Sequence, residues 1–290
     1  MDNKFTCEDL KTKIKVNDND YFHIFLGAGA SVSSGIKTGE QLVWEFKKEI
    51  FCEKNEISPN KYIELSDEQK NEIQIFFDQL DGYPKRGATN EYSFYFYNYL
   101  KTPEDRSKYI QKLVKDKTPE IGYLVLGKLI IEGKFKNIWT TNFDELTEHG
   151  IRSNKLTQTI NVYSSSNAGS TINNNSFPCV TKLHGDFRYD YLKNTKDELR
   201  NIEQTLANQF KKKLIDHGLI VIGYSGNDES IKKLFDEGFN NQEFLNKGLF
   251  WLCRDSKNVS DNVLKILEKA KYNKPKIWTK NSKNSEFAVL

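Results

Sequence analysis

The sequence predicts an α/β fold: a Rossmann-like, mostly parallel sheet with helices on both faces and a helical insertion after the first βα unit. Short apolar runs ending at glycine or polar residues recur along the chain, at 21–26 (YFHIFL), 137–140 (NIWT), 179–183 (CVTKL), 219–223 (LIVIG), 249–253 (LFWLC) and 276–278 (KIW). Runs this apolar suit strands buried on both faces of a parallel sheet. Helical patterns fill the intervals between them, and strands alternating with helices indicate a doubly wound arrangement. The stretch from about 52 to 119 breaks the alternation, being helical and aromatic, and reads as an insertion.

The elements follow in order. After the first strand, residues 41–51 place Leu42, Val43, Phe46 and Ile50 on one helical face. Ser66-Asp67-Glu68-Gln69 reads as a capping box opening a helix through Phe76, Phe77 and Leu80. Pro103 and Pro119 read as first-turn prolines of two further helices, the second carrying Leu124, Leu126, Leu129 and Ile130. Residues 164–176 form a polar loop, and 195–216 and 261–271 are amphipathic stretches. The whole of 1–290 reads as one domain, and the ending NSKNSEFAVL suggests a chain cut from something longer.

Composition narrows the classes. With 37% hydrophobic residues and mean hydropathy −0.68 the average is polar, but 19 Phe, 14 Tyr and 4 Trp supply a core. The 43 basic and 40 acidic residues leave a net charge of +3, and only 6 of the basic residues are Arg. That balance argues against direct reading of nucleic acid, since Arg is the usual bidentate reader. Cys7, Cys52, Cys179 and Cys253 are scattered without a C-x-x-C pair, which fits reduced thiols better than a disulfide framework or zinc ribbon. The first residues are charged, unlike a signal peptide, and no run reaches the roughly 18 apolar residues of a membrane span. A cytoplasmic protein is expected.

Four polar motifs sit at predicted strand ends, where ligands gather in an open α/β sheet. The first is the glycine loop Gly27-Ala28-Gly29-Ala30-Ser31, followed by Ser34-Gly35-Ile36. Between a strand and a helix, its amides can face a diphosphate. Gly35 comes too late for the G-x-G-x-x-G fingerprint, which disfavours a hydride-transfer dehydrogenase. The second is Thr140-Thr141-Asn142-Phe143-Asp144, which taken alone reads as a turn with Asp144 capping the next helix. The third is Lys182-Leu183-His184-Gly185-Asp186, where His184 could act as a general base. His23, His149 and His217 have no comparable setting and read as structural. The fourth is Gly223-Tyr224-Ser225-Gly226-Asn227-Asp228, whose hydroxyl, amide and carboxylate could hold ribose or phosphate, or simply turn the chain with Asp228 as cap.

This ordered set resembles the sirtuin (silent information regulator) family. The G-A-G-x-S loop is matched by Gly27 to Ser31, S-G-I by Ser34 to Ile36, T-x-N-x-D by Thr140, Asn142 and Asp144, H-G by His184 and Gly185, and G-x-S by Gly223 and Ser225. Sirtuin deacylases carry a four-cysteine zinc module between the last two motifs, whereas 186–222 here contains no cysteine. Lys37-Thr38-Gly39-Glu40 also stands where deacylases have P-D-F-R. The chain therefore looks more like the zinc-less, NAD-hydrolysing effectors of bacterial antiphage defence. That resemblance implies an NAD glycohydrolase that uses NAD as substrate with no metal, releasing nicotinamide and ADP-ribose and acting in abortive infection by depleting NAD. It implies Asn142, His184 and Asp144 as catalytic residues. NAD would be held by Gly27, Ala28, Gly29, Ala30, Ser31, Gly35, Thr141, Gly223, Ser225 and Asp228 beside those three. A homo-oligomer or a defence partner of Argonaute, ATPase or sensor type is the expected activator. The alternatives are a protein deacylase or ADP-ribosyltransferase using the same pocket, and a non-catalytic module that senses NAD or ADP-ribose.

Overall fold

In the computed structural model the described residues are 7–17, 21–88, 90–154, 159–164, 178–185, 204–253 and 259–272. Six strands form one sheet: β1 (Phe22–Leu26), β2 (Asn137–Thr140), β3 (Asn161–Tyr163), β4 (Cys179–Lys182), β5 (Gly218–Ile222) and β6 (Leu249–Leu252). Their order is β3-β4-β2-β1-β5-β6, and every pairing is parallel. From β1 the chain builds outward to β2 and β4 on one side, then returns to add β5 and β6 on the other. The reversal puts the topological switch point between β1 and β5, at the carboxyl ends where such sheets bind ligands.

Strand alternation sorts the core into two layers. Phe22, Ile24, Leu26, Ile138, Val180, Ile220 and Phe250 face one way. They pack under α1 (Cys7–Val16), α6 (Ile121–Ile131) and α7 (Leu146–Ser153) through Leu10, Tyr123, Leu126, Ile130, Leu146 and Ile151. Phe25, Trp139, Leu219, Val221, Leu249 and Trp251 face the other way. They pack under α8 (Gln204–Lys213), α9 (Glu229–Gly238) and α10 (Asp261–Tyr272) through Phe210, Leu234, Phe235 and Ile266. The close approach of α6 to α7 depends on glycine: a Cβ on Gly127 would stand 2.3 Å from the Gly150 carbonyl oxygen.

A third cluster belongs to the helices between β1 and α6: α2 (Gly39–Lys54), α3 (Asp67–Asp78), α4 (Glu91–Tyr99) and α5 (Pro103–Val114). Leu42, Val43, Phe46 and Ile50 of α2 are buried there with Phe77, Tyr95 and Phe96, so the helical cluster takes in α2 as well as residues 52–119. Caps define its helices. Thr38 and Gln41 close a capping box on α2, Ser66 and Gln69 do the same on α3, and Thr102 caps α5 with Pro103 at its first position. Lys47 is fully buried here, donating to Gln74 Oε1 at 2.7 Å and paired with Glu91, its ammonium 4.8 Å from the Trp44 ring centre. The aromatic run of α4 divides: Tyr95 and Phe96 are fully buried, Tyr92 and Phe94 partly buried, and Tyr97 and Tyr99 exposed.

The structure departs from the sequence expectations in places. Pro119 is not in the first turn of α6. Glu120 is the N-cap, its carbonyl accepting from Tyr123 and Leu124 and its amide held by Ser34 Oγ at 3.2 Å. Helix α1 and the short edge strand β3 were not anticipated, because both are polar or only half-buried. The predicted strand at 276–278, the loop at 165–176, the chain ending and the start of the 195–216 helix lie outside the described residues. No helix among the described residues is long and apolar enough to cross a membrane. Among the described residues, Cys52, Cys179 and Cys253 form no disulfide.

Candidate active site

The glycine loop leaves β1 as a single 3-10 turn, Ala28–Ser31. Its amides are largely committed to the neighbouring loop. Gly27 N donates to Ile222 O at 2.9 Å, Gly29 N to Gly223 O at 2.8 Å, and Ala30 N back to Gly27 O at 2.9 Å. A Cβ on Gly29 would fall 2.8 Å from Gly223 O, and one on Gly223 would fall 2.1 Å from Ala30 N. Gly223 also has φ +68°, a left-handed conformation that favours glycine. Gly27 and Gly29 thus use their amides, and Gly223 its carbonyl, in the contact between the two loops. They leave room for each other's loop. Ala28 and Ala30 remain half-buried beside it, and Gly35, at φ +77°, ends the turn and lies against Lys117.

The turn after β2 is built by hydrogen bonds that the T-x-N-x-D pattern encodes. Thr140 Oγ1 donates to Leu26 O at 3.1 Å and accepts from Asn142 N at 2.9 Å, while Thr141 N donates to Leu26 O at 3.2 Å. The Asn142 amide nitrogen reaches both Gly27 O at 3.1 Å and Ser31 Oγ at 3.0 Å. With both donors engaged, its Oδ1 points elsewhere and is buried without a partner. Ser31 Oγ donates to Asp144 Oδ2 at 2.7 Å and lies 2.8 Å from the Tyr123 hydroxyl. An ionised Asp144 only accepts, so Ser31 gives its one proton there and takes the Tyr123 proton in return. Asp144 Oδ1 caps α7 by accepting from Leu146 N at 3.1 Å. Burial raises the Asp144 carboxyl above its usual range, with Ser31, the Leu146 amide and Lys182 partly opposing the rise. Burial, then the Asp144 charge, pushes the Tyr123 phenol well above its own.

On the far side, His184 leaves β4 in a turn whose next residue, Gly185, has φ +94°. The ring is buried, and its Nε2 lies 2.8 Å from Asp228 Oδ2. That is ion-pair distance, but the approach is off the line of a directed ring N–H bond, so Nε2 has no hydrogen bond of good geometry. Asp228 caps α9, its Oδ1 accepting from Ser230 N at 2.9 Å, Ser230 Oγ at 2.7 Å and Ile231 N at 3.3 Å. Burial disfavours its charge, yet His184, Ser230 and the Ile231 amide outweigh that and hold the carboxyl below the usual range.

Of the residues singled out from the sequence, Ser31, Asn142 and Asp144 therefore form one connected group, and His184 with Asp228 another, both at the carboxyl ends of the central strands. Thr141 is half-buried beside the first. Ser225 is exposed, and its carbonyl is tied to Ser260 Oγ at 2.7 Å. A cleft of ≈ 720 Å³ opens next to Asp144, lined also by Lys112, Lys115, Lys117, Glu145 and His149. His23 fits its structural reading: it is buried, accepts from Trp139 Nε1 at 3.2 Å, and its pKa is driven well down by burial. Among the described residues no His, Cys, Asp and Glu cluster could hold a metal ion.

Three participants were not assigned from the sequence. Tyr123 is hidden in an apolar helix. Lys182 and Glu148, both fully buried, form an ion pair at 3.2 Å beneath Asp144. A lysine inside an apolar strand and an acid on the buried face of α7 were the available signals.

A family model for the SIR2-like domain matches residues 136–276, from the start of β2 past α10. Residues 136–276 are thus similar to the SIR2-like family. The matched span contains Asn142, Asp144, His184, Gly223, Ser225 and Asp228; the glycine loop lies ahead of it. Among solved structures, a Sir2 homolog in complex with NAD is similar at 14% identity, covering 94% of this chain and 96% of its own, with a TM-score of 0.46. A mutant Sir2 homologue in complex with ADP-ribose is similar at 12% identity, covering 92% of this chain and 97% of its own, with a TM-score of 0.43. Comparison with curated proteins returns no match.

Proposed function

We propose that this SIR2-like domain is an NAD glycohydrolase. NAD and water would give nicotinamide, ADP-ribose and a proton, the bond broken being that between nicotinamide and ribose. A SIR2-like domain supports NAD-binding, sirtuin-type activity in general. The observation that carries the finer reading is the Asn142 side chain. Its nitrogen is pinned from two directions while its buried Oδ1 stands without a partner. An unsatisfied buried acceptor costs about 1–3 kcal/mol, so its persistence fits a site awaiting a donor such as a ribose hydroxyl or the attacking water.

In this reading Asn142 Oδ1 orients that hydroxyl or water. His184 accepts its proton, and Asp228 holds the ring in place and stabilises the charge it gains. Asp144 acts electrostatically on the nicotinamide side through Ser31 and Tyr123. The Gly27 to Ser31 turn, Gly35 and Thr141 wall the dinucleotide, and the exposed Ser225 marks its outer edge. Neutral nicotinamide leaves a cationic ring, so no strong general acid is required. Base assistance of this kind is worth roughly 10²–10⁴-fold, with orientation and fixed dipoles providing the rest. The cysteine-free stretch between His184 and Gly223 supports hydrolysis over a zinc-bearing deacylase. Unrestrained hydrolysis of NAD is toxic, which supports a defence effector switched on by oligomerisation or a partner protein.

The test is chromatography of nicotinamide and ADP-ribose after incubation with NAD, with and without acyl-lysine peptide. Asn142→Ala and His184→Ala should each reduce nicotinamide release at least about a hundredfold. Release that depends on the peptide would replace hydrolysis by deacylation, and NAD binding without any release would leave only a sensing role.

A further inference from the structure

The two halves of the candidate site stand on different elements, Asn142 and Asp144 on the turn into α7 and His184 on the turn out of β4. The buried Lys182–Glu148 pair joins them. Lys182 ends β4 opposite Thr140 of β2, two residues before His184. Its ammonium donates to the Asp144 carbonyl oxygen at 2.9 Å and lies 3.2 Å from Glu148 Oε1. Glu148 sits in the first turn of α7, four residues past Asp144, and its side chain is 1% exposed against 0% for Lys182. The backbone repeats the link, since Leu183 N donates to Thr140 O at 2.8 Å.

We propose that the Lys182–Glu148 pair is a positioning device, locking the Asn142–Asp144 turn to the His184 turn in the one relative placement that NAD cleavage requires. The inference rests on the glycohydrolase reading for its catalytic part. Stability alone is a poor reason for such a pair: desolvating two charges offsets their attraction, and apolar pairs of similar volume often do as well or better. What an apolar pair cannot do is direct a bond at one carbonyl oxygen. Lys182 does so at Asp144, whose side chain in turn orders Ser31 and, through it, Asn142. Displacing reacting groups by about 1 Å can reduce a rate by roughly 10²-fold, so a pair that touches no substrate can still govern turnover.

Removing one partner strands a buried charge and endangers the fold, so the decisive variant is Lys182→Met with Glu148→Leu. The double variant should melt close to the wild type, while hydrogen exchange of peptides covering 140–150 and 179–185 speeds up and the rest of the sheet stays protected. Its kcat for nicotinamide release should fall about tenfold or more, with KM for NAD changing less than about threefold. Wild-type kcat together with unchanged loop exchange would overturn the proposal. So would a general loss of protection, which would make the pair an ordinary core element. If the wild-type protein cleaves no NAD, the glycohydrolase reading fails, and local exchange in the two turns still decides whether the pair locks them together.

Discussion

Replacing Gly223 by alanine tests the packing of the β1 loop against the β5 loop. An L-residue at φ +68° pays about 1–2 kcal/mol for the left-handed conformation alone. The added Cβ would also lie 2.1 Å from Ala30 N and 2.6 Å from Gly29 C, both backbone atoms that cannot swing aside. Ordinary contact needs about 3.5–4 Å, so the β1 and β5 loops must part by more than about 1 Å. That separation breaks the 2.8 Å bond from Gly29 N to Gly223 O, worth about 1 kcal/mol. Strain and lost contacts bring the total to about 4 kcal/mol, or roughly 10 °C in Tm for a domain of this size. The control is Gly82→Ala, at φ +84° with nothing within 4 Å of the new Cβ, which carries the conformational cost only. Differential scanning calorimetry of both variants measures the difference. Melting temperatures for the two within about 3 °C of each other would refute the packing argument, because the steric part would then be absent.

The two site carboxylates predict opposite pH behaviour. Asp228 has a lowered native pKa, so its stabilisation is present above the unfolded value of about 3.9 and is lost as pH falls through the native value. Urea titrations of Asp228→Asn should therefore show lower stability at neutral pH and a flatter decline below about pH 4, with slower NAD cleavage because His184 loses its partner; parallel profiles for variant and wild type would contradict the pairing. Asp144 has a raised native pKa, so its contribution is present below the unfolded value and lost as pH rises through the native one. Asp144→Asn should match the wild type in acid and exceed its stability at pH 7.5, while nicotinamide release falls by about a hundredfold; an Asn variant that is the weaker of the two at pH 7.5 would show that burial does not burden this carboxylate.

Much of the fold was legible because parallel strands buried on both faces are local signals. YFHIFL, NIWT, CVTK, LIVI and LFWL became β1, β2, β4, β5 and β6 with small shifts at their ends. The edge strand β3 was not legible, since a half-buried Asn161–Tyr163 has no apolar run to display. Pro119 misled because proline is compatible with positions on either side of an N-cap, and the bond from Glu120 N to Ser34 decided which. At the site, Asn142, Asp144 and His184 were recognisable as polar residues at strand ends. Asp228, read as a ribose or phosphate ligand or a plain cap, was found to cap α9 and face His184 at once.

The order of the motifs and the lack of cysteine between His184 and Gly223 belong to the chain itself, and the resemblance to the SIR2-like family was visible in that order. Partnership does not. Ser31 meets Asp144 across 113 positions, and Lys182 reaches the Asp144 carbonyl across 38. Local periodicity tells which face of a strand or helix is apolar; it does not tell which buried polar atoms will meet. Only the packed sheet settles that, because each buried donor or acceptor must find its partner among whatever the topology brings alongside it. The same requirement explains why Gly27, Gly29 and Gly223 carry no side chain: each lies against the other's loop, a contact that only the folded sheet creates.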